Sequence, residues 1–266
     1  MGKLGLHAKR PYPKANRDRR GLGGIEAVKI QGLIRRTVVL LSLACIVVFI
    51  SRWPVTTQSG VNYKWSSKQI FLYEKVFDFL NRDIQTRRIA AEVTDGALRD
   101  QDKLRMIFSW TGRNVRPTPE GFPVMDDHIQ NIIVRGYGEP DQITEVFALL
   151  ASYVGFPATA ALLELPNAPQ KIVLALVQYK AQILVFDVAR QIVFQHGNGE
   201  FATLEDLLRD PQLIAAASEG ITVYGVRYER YFANLVDLRF TFSRMELQKP
   251  WSRLKSEVVS FLRFAP

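Results

Sequence analysis

The sequence predicts an α+β protein in which an N-terminal transmembrane helix precedes a domain with helices packed on one face of an antiparallel sheet. Three observations lead to this prediction. An uncharged apolar run stands near the N-terminus, at 37–50. Apolar residues at helical spacing dominate much of the following chain, and short stretches rich in Val, Ile and Leu come after them. Helices first and strands afterwards are typical of α+β domains rather than of βαβ units.

The first feature is the apolar run 37–50, which lies between Arg36 and Arg52. As a helix it would be about 21 Å long, shorter than a hydrocarbon core of about 30 Å. The flanking arginines can extend their side chains to the headgroups and cover the difference. Residues 37–53 are therefore predicted to anchor the chain in a lipid bilayer. A buried core helix and a cleaved signal peptide are the alternatives.

The distribution of charge predicts the orientation of this anchor. The chain has a net charge of +9, and residues 1–36 hold ten Lys and Arg against two acidic residues. Basic residues stay on the cytoplasmic side, so the N-terminus is predicted to be cytoplasmic and residues 54–266 periplasmic or extracellular. The tail 1–36 is rich in Gly, Pro, Lys and Arg and is predicted to be disordered. Because the excess charge belongs to this tail, no nucleic-acid partner is expected.

The cysteine and histidine content excludes several kinds of site. Cys45 is the only cysteine and is interpreted as a small apolar residue of the membrane helix, so no disulfide can form within the chain. Asp126, Asp127 and His128 lack metal-ligand spacing to a second His or Cys. No Walker or dinucleotide glycine motif is present. Neither a metal nor another cofactor is expected.

The part after the anchor is divided into a polar linker, 54–65, a core domain, 66–195, and a helical C-terminal extension, 196–266. Three- and four-residue spacing of apolar positions predicts helices at these places: from Ser66, and over 100–114, 127–134, 139–154, 203–217, 227–240 and 251–264. Apolar stretches rich in Val, Ile and Leu predict strands over 158–165, 172–179, 182–188 and 191–194.

Two of the predicted helices carry a stripe of apolar residues at three- and four-residue spacing. In the helix that begins near Ser66, the stripe consists of Ile70, Tyr73, Val76, Phe77 and Leu80. In the 139–154 helix, it consists of Ile143, Val146, Phe147, Leu150 and Val154. The second stripe has the spacing of a core-facing helix, and the 139–154 helix is predicted to pack centrally against the strands.

Several segments resemble the transglutaminase-like, papain-fold superfamily. They include Asp102-Lys-Leu-Arg-Met-Ile-Phe-Ser-Trp110 with Asn114-Val115, Gly136-Tyr-Gly-Glu-Pro-Asp-Gln142, and Phe147-Ala-Leu-Leu150 with Gly155-Phe-Pro-Ala158. Residues 173–187 are similar to the two strands that follow in that superfamily. The resemblance covers 66–195, with the segments in the order and spacing of the superfamily. It implies a central nucleophile helix and strands that carry a His and an Asp.

In that superfamily a Cys thiolate at the start of the helix attacks an acyl group, and a His and an Asp on two strands activate it. Counting back from Gly155 places Pro140 at the Cys position. Counting back from Asp187 places Ile172, give or take one residue, at the His position, and Asp187 matches the Asp. Pro140 has no nucleophile and Ile172 carries no proton. The resemblance therefore implies a degenerate member that lacks the catalytic Cys and His, a pseudoenzyme.

The start of this helix is nevertheless a candidate binding cleft, because helix N-termini present free N–H groups and a partial positive charge. The candidate residues for an acyl, peptide or sugar ligand are Tyr137, Gly138, Asp141, Gln142 and Asp187. Alternatively, Glu139 and Asp141 only cap the helix and Gln142 satisfies a backbone group. Thr144 and Ser152 are interpreted as packing or surface residues, and His128 as a solvated loop histidine.

These features together predict a membrane-anchored, catalytically inactive transglutaminase-like protein that acts as a binding or assembly factor. The resemblance associates it with cell-envelope polysaccharide synthesis or export, and it predicts a membrane-protein or envelope-glycan partner besides the bilayer. A structural partner of a membrane complex is a related interpretation. The alternative from another class is an active amidase, peptidase or acyltransferase with a non-standard catalytic site. The absence of cysteine from residues 54–266 argues against a thiol mechanism.

Overall fold

The computed structural model describes residues 22–126, 128–165, 169–238, 240 and 244–264, and the chain divides into two compact units at the Trp53–Pro54 bond. The first unit contains helix α1, Leu22–Ser51. Its segment Gln31–Ser51 has a mean hydropathy of 2.3 and is not buried by protein. It is long and apolar enough to serve as a membrane span or a signal anchor.

Helix α1 begins earlier than the sequence suggested. Residues 22–36 were predicted to belong to a disordered tail, and the structure makes them part of α1. Extending an existing helix costs less free energy than nucleating a new one. A helix that forms over the apolar run can therefore continue towards the N-terminus, as far as Leu22. The remainder of the tail, 1–21, lies outside the described residues. The orientation across a membrane stays a prediction.

The second unit opens with a β-hairpin where a linker and a helix were predicted. Strand β1, Pro54–Val61, pairs with strand β2, Lys64–Phe71, along its whole length. Asn62 and Tyr63 both have positive φ, which is the geometry of a tight two-residue hairpin turn. The prediction of a linker over 54–65 is therefore wrong, and so is the helix start at Ser66. The missed signal is the run of β-branched Val55, Thr56 and Thr57 before an Asn turn.

Four helices follow the hairpin: α2, Leu72–Val93; α3, Asp100–Asn114; α4, Ile129–Arg135; and α5, Pro140–Tyr153. The predictions of α3, α4 and α5 are confirmed within one or two residues. Three two-residue strands lie between them: β3, Arg116–Pro117; β4, Met125–Asp126; and β5, Tyr137–Gly138. Strand β4 adds to the β1–β2 hairpin, and β3 pairs with β5 in parallel.

Helix α5 packs against an antiparallel sheet of four strands in the order β6-β7-β8-β9. The strands are β6, Ala158–Glu164; β7, Lys171–Tyr179; β8, Gln182–Asp187; and β9, Ile192–Val193. The Phe147 ring on α5 lies 5.1 Å from the Phe186 ring on β8. The predicted central helix and antiparallel sheet are thus confirmed.

The sheet is covered on its second face as well, which corrects the prediction that helices cover only one. The covering elements are α6, Leu204–Arg209; α7, Gln212–Ala217; the hairpin of β10, Thr222–Val223, and β11, Val226–Arg227; and a 3₁₀ helix, Tyr228–Asp237. A second 3₁₀ helix, Arg244–Gln248, precedes α8, Pro250–Phe264. Strand β7 explains the arrangement, because its uninterrupted run 172–177 is apolar on both faces.

The predicted helices of the C-terminal extension are only partly confirmed. Helix 251–264 is present as α8. The predicted helix 203–217 is broken into α6 and α7 at Asp210 and Pro211, since proline cannot donate to the preceding turn. The predicted helix 227–240 begins with strand β11 and continues as the tighter 3₁₀ form.

Candidate functional site

A cleft of about 360 Å³ opens at the N-terminal end of α5, and we call it the α5 cleft. Helix α5 contributes one wall, and the β1–β2 hairpin, strand β4, the start of α4 and the second 3₁₀ helix contribute the rest. Its lining residues are Gln58, Trp65, Asp126, His128, Ile129, Asp141, Gln142, Glu145, Met245 and Gln248. The position agrees with the sequence prediction of a cleft at this helix end, although most of the residues differ.

Gln142 forms a rigid part of this cleft. Its Oε1 accepts the Glu139 backbone N–H at 3.1 Å and an Arg135 guanidinium N–H at 2.9 Å. Its Nε2 donates to the Met125 carbonyl at 2.7 Å. A Cβ at Gly138 would lie only 2.9 Å from Gln142 Oε1, so glycine is needed there. The amide therefore ties α5 to the strand before α4, and it matches the interpretation in which Gln142 satisfies backbone groups.

In the first turn of α5, N–H groups already have acceptors within the chain, and acidic side chains already balance the helix dipole. Pro140 brings no N–H, and the Gln142 N–H donates to Asp141 Oδ1 at 2.9 Å. The Ile143 N–H donates to the Glu139 carbonyl at 2.9 Å. Glu139 and Asp141 place negative charge at the positive end of the helix dipole. An anionic ligand therefore gains little at this helix end.

The lining of the α5 cleft is rich in carboxylates. Asp126, Asp141 and Glu145 contribute three carboxylates, and His128 follows Asp126 by two residues in the chain. Among the described residues, no donor reaches the buried Oδ2 of Asp126. At the rim, the Trp65 indole is 64% exposed and offers an apolar face. The cleft is thus suited to a neutral or cationic ligand that carries several donors.

Asp187 does not lie in the α5 cleft, which corrects the sequence prediction. Its carboxylate is 0% exposed and accepts hydrogen bonds from the Arg190 N–H at 3.0 Å, Arg190 Nη1 at 3.0 Å and the Tyr228 hydroxyl at 2.8 Å. Burial, together with this carboxylate, raises the pKa of Tyr228. The Asp187 group is therefore a buried structural cluster rather than part of a ligand site.

Strand geometry explains why Asp187 and Pro140 are separated. Successive side chains of a strand point to opposite faces of the sheet. Phe186 packs in the core beneath α5, so Asp187 points to the other face, where the C-terminal extension lies. Ile172 is buried in that second core as well. Of the three positions counted from the resemblance, only Pro140 lies at the α5 end where the cleft opens.

Three other residues named from the sequence, Tyr137, Thr144 and Ser152, make packing contacts or hydrogen bonds within the fold. Tyr137 lies 5.4 Å below the Arg135 guanidinium and packs edge-on against Phe122, outside the cleft lining. The Thr144 hydroxyl is buried and donates to the Pro140 carbonyl, and Ser152 Oγ accepts the Ala158 N–H. These last two contacts confirm that Thr144 and Ser152 are packing residues.

His128 is more enclosed than a solvated loop histidine. It is half-buried, lines the α5 cleft and precedes α4 as its N-cap residue. Asp127, which was grouped with it, lies outside the described residues. Within the part of the chain that the structure describes, no group of three His, Cys, Asp or Glu residues is arranged to hold a metal ion.

Sequence reasoning missed the residues that reach the α5 cleft from distant segments. Trp65 and Gln58 come from the hairpin, and Met245 and Gln248 come from the second 3₁₀ helix. Recognising the hairpin from its Asn62 turn would have placed Trp65 on a strand. No local signal indicates that the C-terminal segment returns to α5, because that contact joins residues about a hundred positions apart.

No protein-family model matches the chain, and no curated protein matches it. Two solved structures are similar to part of it. One is described as a "putative cysteine protease" from Cytophaga hutchinsonii, with 15% identity over 45% of this chain and 40% of that chain, and a TM-score of 0.35. The other is described as a "putative protease" from Parabacteroides distasonis, with 16% identity over 39% and 23%, and a TM-score of 0.32. The chain thus spans less than half of either protein, and TM-scores this low do not assign it to a fold family.

Proposed function

We propose that this protein is a membrane-anchored, transglutaminase-like binding protein without thiol chemistry, whose α5 cleft holds a saccharide chain. In this role it acts as a binding or assembly factor for cell-envelope polysaccharide. The observation that carries the proposal is the lining of the cleft, which combines an exposed indole with carboxylates and amides at the start of a buried helix.

The absence of a thiol supports binding rather than acyl transfer. The only cysteine of the chain, Cys45, belongs to α1 and not to the unit that contains the cleft. Where the resemblance requires a nucleophile, α5 begins with Pro140, whose fixed φ suits the first turn of a helix. The unit that contains the cleft therefore has no thiol that could attack an acyl group.

The chemistry of the α5 cleft favours a saccharide over an anionic ligand. Sugar hydroxyls can donate to Asp126, Asp141 and Glu145 and can exchange hydrogen bonds with glutamine amides. The Trp65 ring offers an apolar face on which a sugar ring can stack. Carboxylate-rich polymers would be repelled by the three acidic side chains.

The proposal is tested by titrating the full chain in detergent micelles with oligosaccharides. We expect chitohexaose or maltohexaose, which are neutral, to bind by calorimetry, and an oligogalacturonate not to bind. Trp65→Ala and Glu145→Gln should each weaken binding about tenfold, equivalent to about 1.4 kcal/mol. Tyr224→Ala is the matched control, because Tyr224 is 67% exposed and does not line the cleft. Binding that is unchanged in Trp65→Ala and Glu145→Gln, or that favours the anionic probe, would contradict the proposal.

One observation favours the alternative of an active hydrolase or acyltransferase. His128 shares the α5 cleft with Asp126 and Glu145, so an acid–base pair is available without a thiol. To decide between the binding protein and the enzyme, the full chain is incubated with amide, ester and acyl-transfer substrates, and turnover is measured. Turnover in the wild type that disappears in His128→Ala, while binding of the neutral oligosaccharides is absent, would establish the enzyme and reject the binding protein.

A further inference from the structure

Helix α2 carries an apolar stripe on its outward side. Its members lie three or four residues apart and are all exposed: Tyr73, Val76, Phe77, Leu80 and Ile84, with Phe77 at 67% and Ile84 at 61%. An adjacent side of α2 meets the rest of the unit through Asp83, Thr86 and Ala90. Large apolar residues gathered on one exposed helix face are unusual on a soluble surface and typically mark an interaction site.

The stripe begins at the base of the β1–β2 hairpin. Pro54, the first residue of β1, is paired with Phe71, which immediately precedes α2. The Lys75 ammonium then donates to the Thr56 carbonyl at 2.8 Å, so the first turn of α2 is bonded to the start of β1. The Phe71 and Tyr73 rings are stacked, with centroids 5.7 Å apart.

The base of this hairpin is also the point at which the chain leaves its apolar span. Only Arg52 and Trp53 separate Ser51, the end of α1, from Pro54. Three residues of chain reach at most about 11 Å, whatever conformation they adopt. Covalent connectivity therefore keeps the start of the α2 stripe close to any bilayer that α1 crosses.

We propose that the outward stripe of α2 lies in the headgroup region of the bilayer that holds α1, as an interfacial amphipathic helix. Tyr and Trp are favoured at this depth; in the sequence, Trp53 directly precedes the hairpin and Tyr73 follows it. Arg87 and Arg88, both largely exposed and each paired with an acidic residue of α2, follow at the far end of the stripe, where long basic side chains are favoured beside phosphate groups. The anchor holds α2 near the bilayer and so raises its effective concentration there. Burial of the five apolar side chains then adds to the affinity for the membrane.

Helix α8 offers an independent sign of the same environment. It contacts α2, and its Trp251, Leu254 and Val258 are all exposed at three- and four-residue spacing. Arg253 and Lys255 lie between these apolar residues in the sequence. An amphipathic helix with Trp and Leu on one side and basic residues beside them is typical of a membrane surface.

The proposal is tested on the full chain reconstituted in vesicles of phosphatidylcholine and phosphatidylglycerol. In a Cys45→Ser background, a nitroxide label is attached at Phe77→Cys or Ile84→Cys, in the stripe. The controls are Asp78→Cys, on another side of α2, and Leu98→Cys, an apolar loop residue that is 95% exposed. Collisions of each label with oxygen, which dissolves in lipid, and with a water-soluble nickel complex are then measured.

We expect labels at 77 and 84 to collide with oxygen severalfold more than with nickel, and labels at 78 and 98 to show the reverse. Labels at 77 and 84 that are as accessible to nickel as label 98 would overturn the proposal. So would labels shielded from both reagents, because a second copy or another protein would then cover the stripe. Two stripe positions are used so that, if one variant fails to fold, the other still gives a result. The oligosaccharide titration in micelles tests the proposed function separately, because its result does not depend on where the α2 stripe lies.

Discussion

Helices α2 and α5 show how the same sequence pattern can have opposite outcomes. Both carry apolar residues at three- and four-residue spacing, and for α5 a core-facing stripe was predicted. On α5 the prediction is confirmed, since Phe147 and Leu150 are 0% exposed. On α2 the stripe is exposed instead, with Phe77 at 67%. Periodicity indicates that a helix has an apolar side, but it does not say whether protein or another medium covers that side.

The two helices also differ in what holds them in place. Helix α5 is surrounded by apolar contacts on the sheet and on α3. Helix α2 is bonded to α5 by polar groups, because the Tyr153 hydroxyl donates to Asp83 Oδ1 at 2.8 Å. Asp83 also accepts from Arg87 at 2.8 Å. Three variants test whether the stability of the domain follows this division.

The largest effect is expected from Phe147→Ala on α5. Phe147 packs against the rings of Phe108 and Phe186, so the truncation leaves a cavity in the main core. We expect the free energy of unfolding to fall by about 3–5 kcal/mol. Denaturant unfolding of the full chain in micelles measures it. A loss below about 1 kcal/mol would show that this core is not closely packed.

An intermediate effect is expected from Tyr153→Phe, which removes the hydrogen bond between α5 and Asp83. Asp83 keeps its partner Arg87, so we expect a loss of about 1 kcal/mol in denaturant unfolding. The matched control is Tyr224→Phe, at an exposed turn position.

Tyr153 also predicts a pH dependence. Burial first, and then the Asp83 carboxylate, raises the pKa of Tyr153 above its ordinary value. Its contribution to stability is therefore fully present below about pH 10, the pKa of an unfolded tyrosine, and is lost as the pH rises further towards the folded pKa. Above pH 10, we expect the free energy of unfolding to decline less steeply in Tyr153→Phe than in the wild type. An unchanged alkaline decline would mean that other groups cause it.

The smallest effect on stability is expected from Phe77→Ala, the counterpart of Phe147→Ala on α2. Since the Phe77 ring is mostly exposed, the free energy of unfolding should change by no more than about 0.5 kcal/mol in the same assay. A loss of several kcal/mol would show that the stripe belongs to a protein core after all.

Pro140 and Asp187 show which part of the candidate site could be predicted. The position of Pro140 at the start of α5 follows from local signals, namely a capping residue, a proline and a periodic apolar run. The surroundings of Asp187 do not. A shift of one residue along a strand turns a side chain to the other face, so a count along the sequence cannot place it. Its partner Tyr228 lies 41 residues away in the chain.

The sequence by itself determined the apolar span, the absence of a thiol from residues 54–266, and the order of helices and antiparallel strands, because each depends on composition or on neighbours in the chain. Only the tertiary structure decided that Trp65 and Gln248 meet at α5, that Asp187 faces away, and that α2 turns its apolar side outward. These outcomes depend on contacts between distant segments. Their energies compete across the whole molecule, so local propensity cannot reveal which contact prevails.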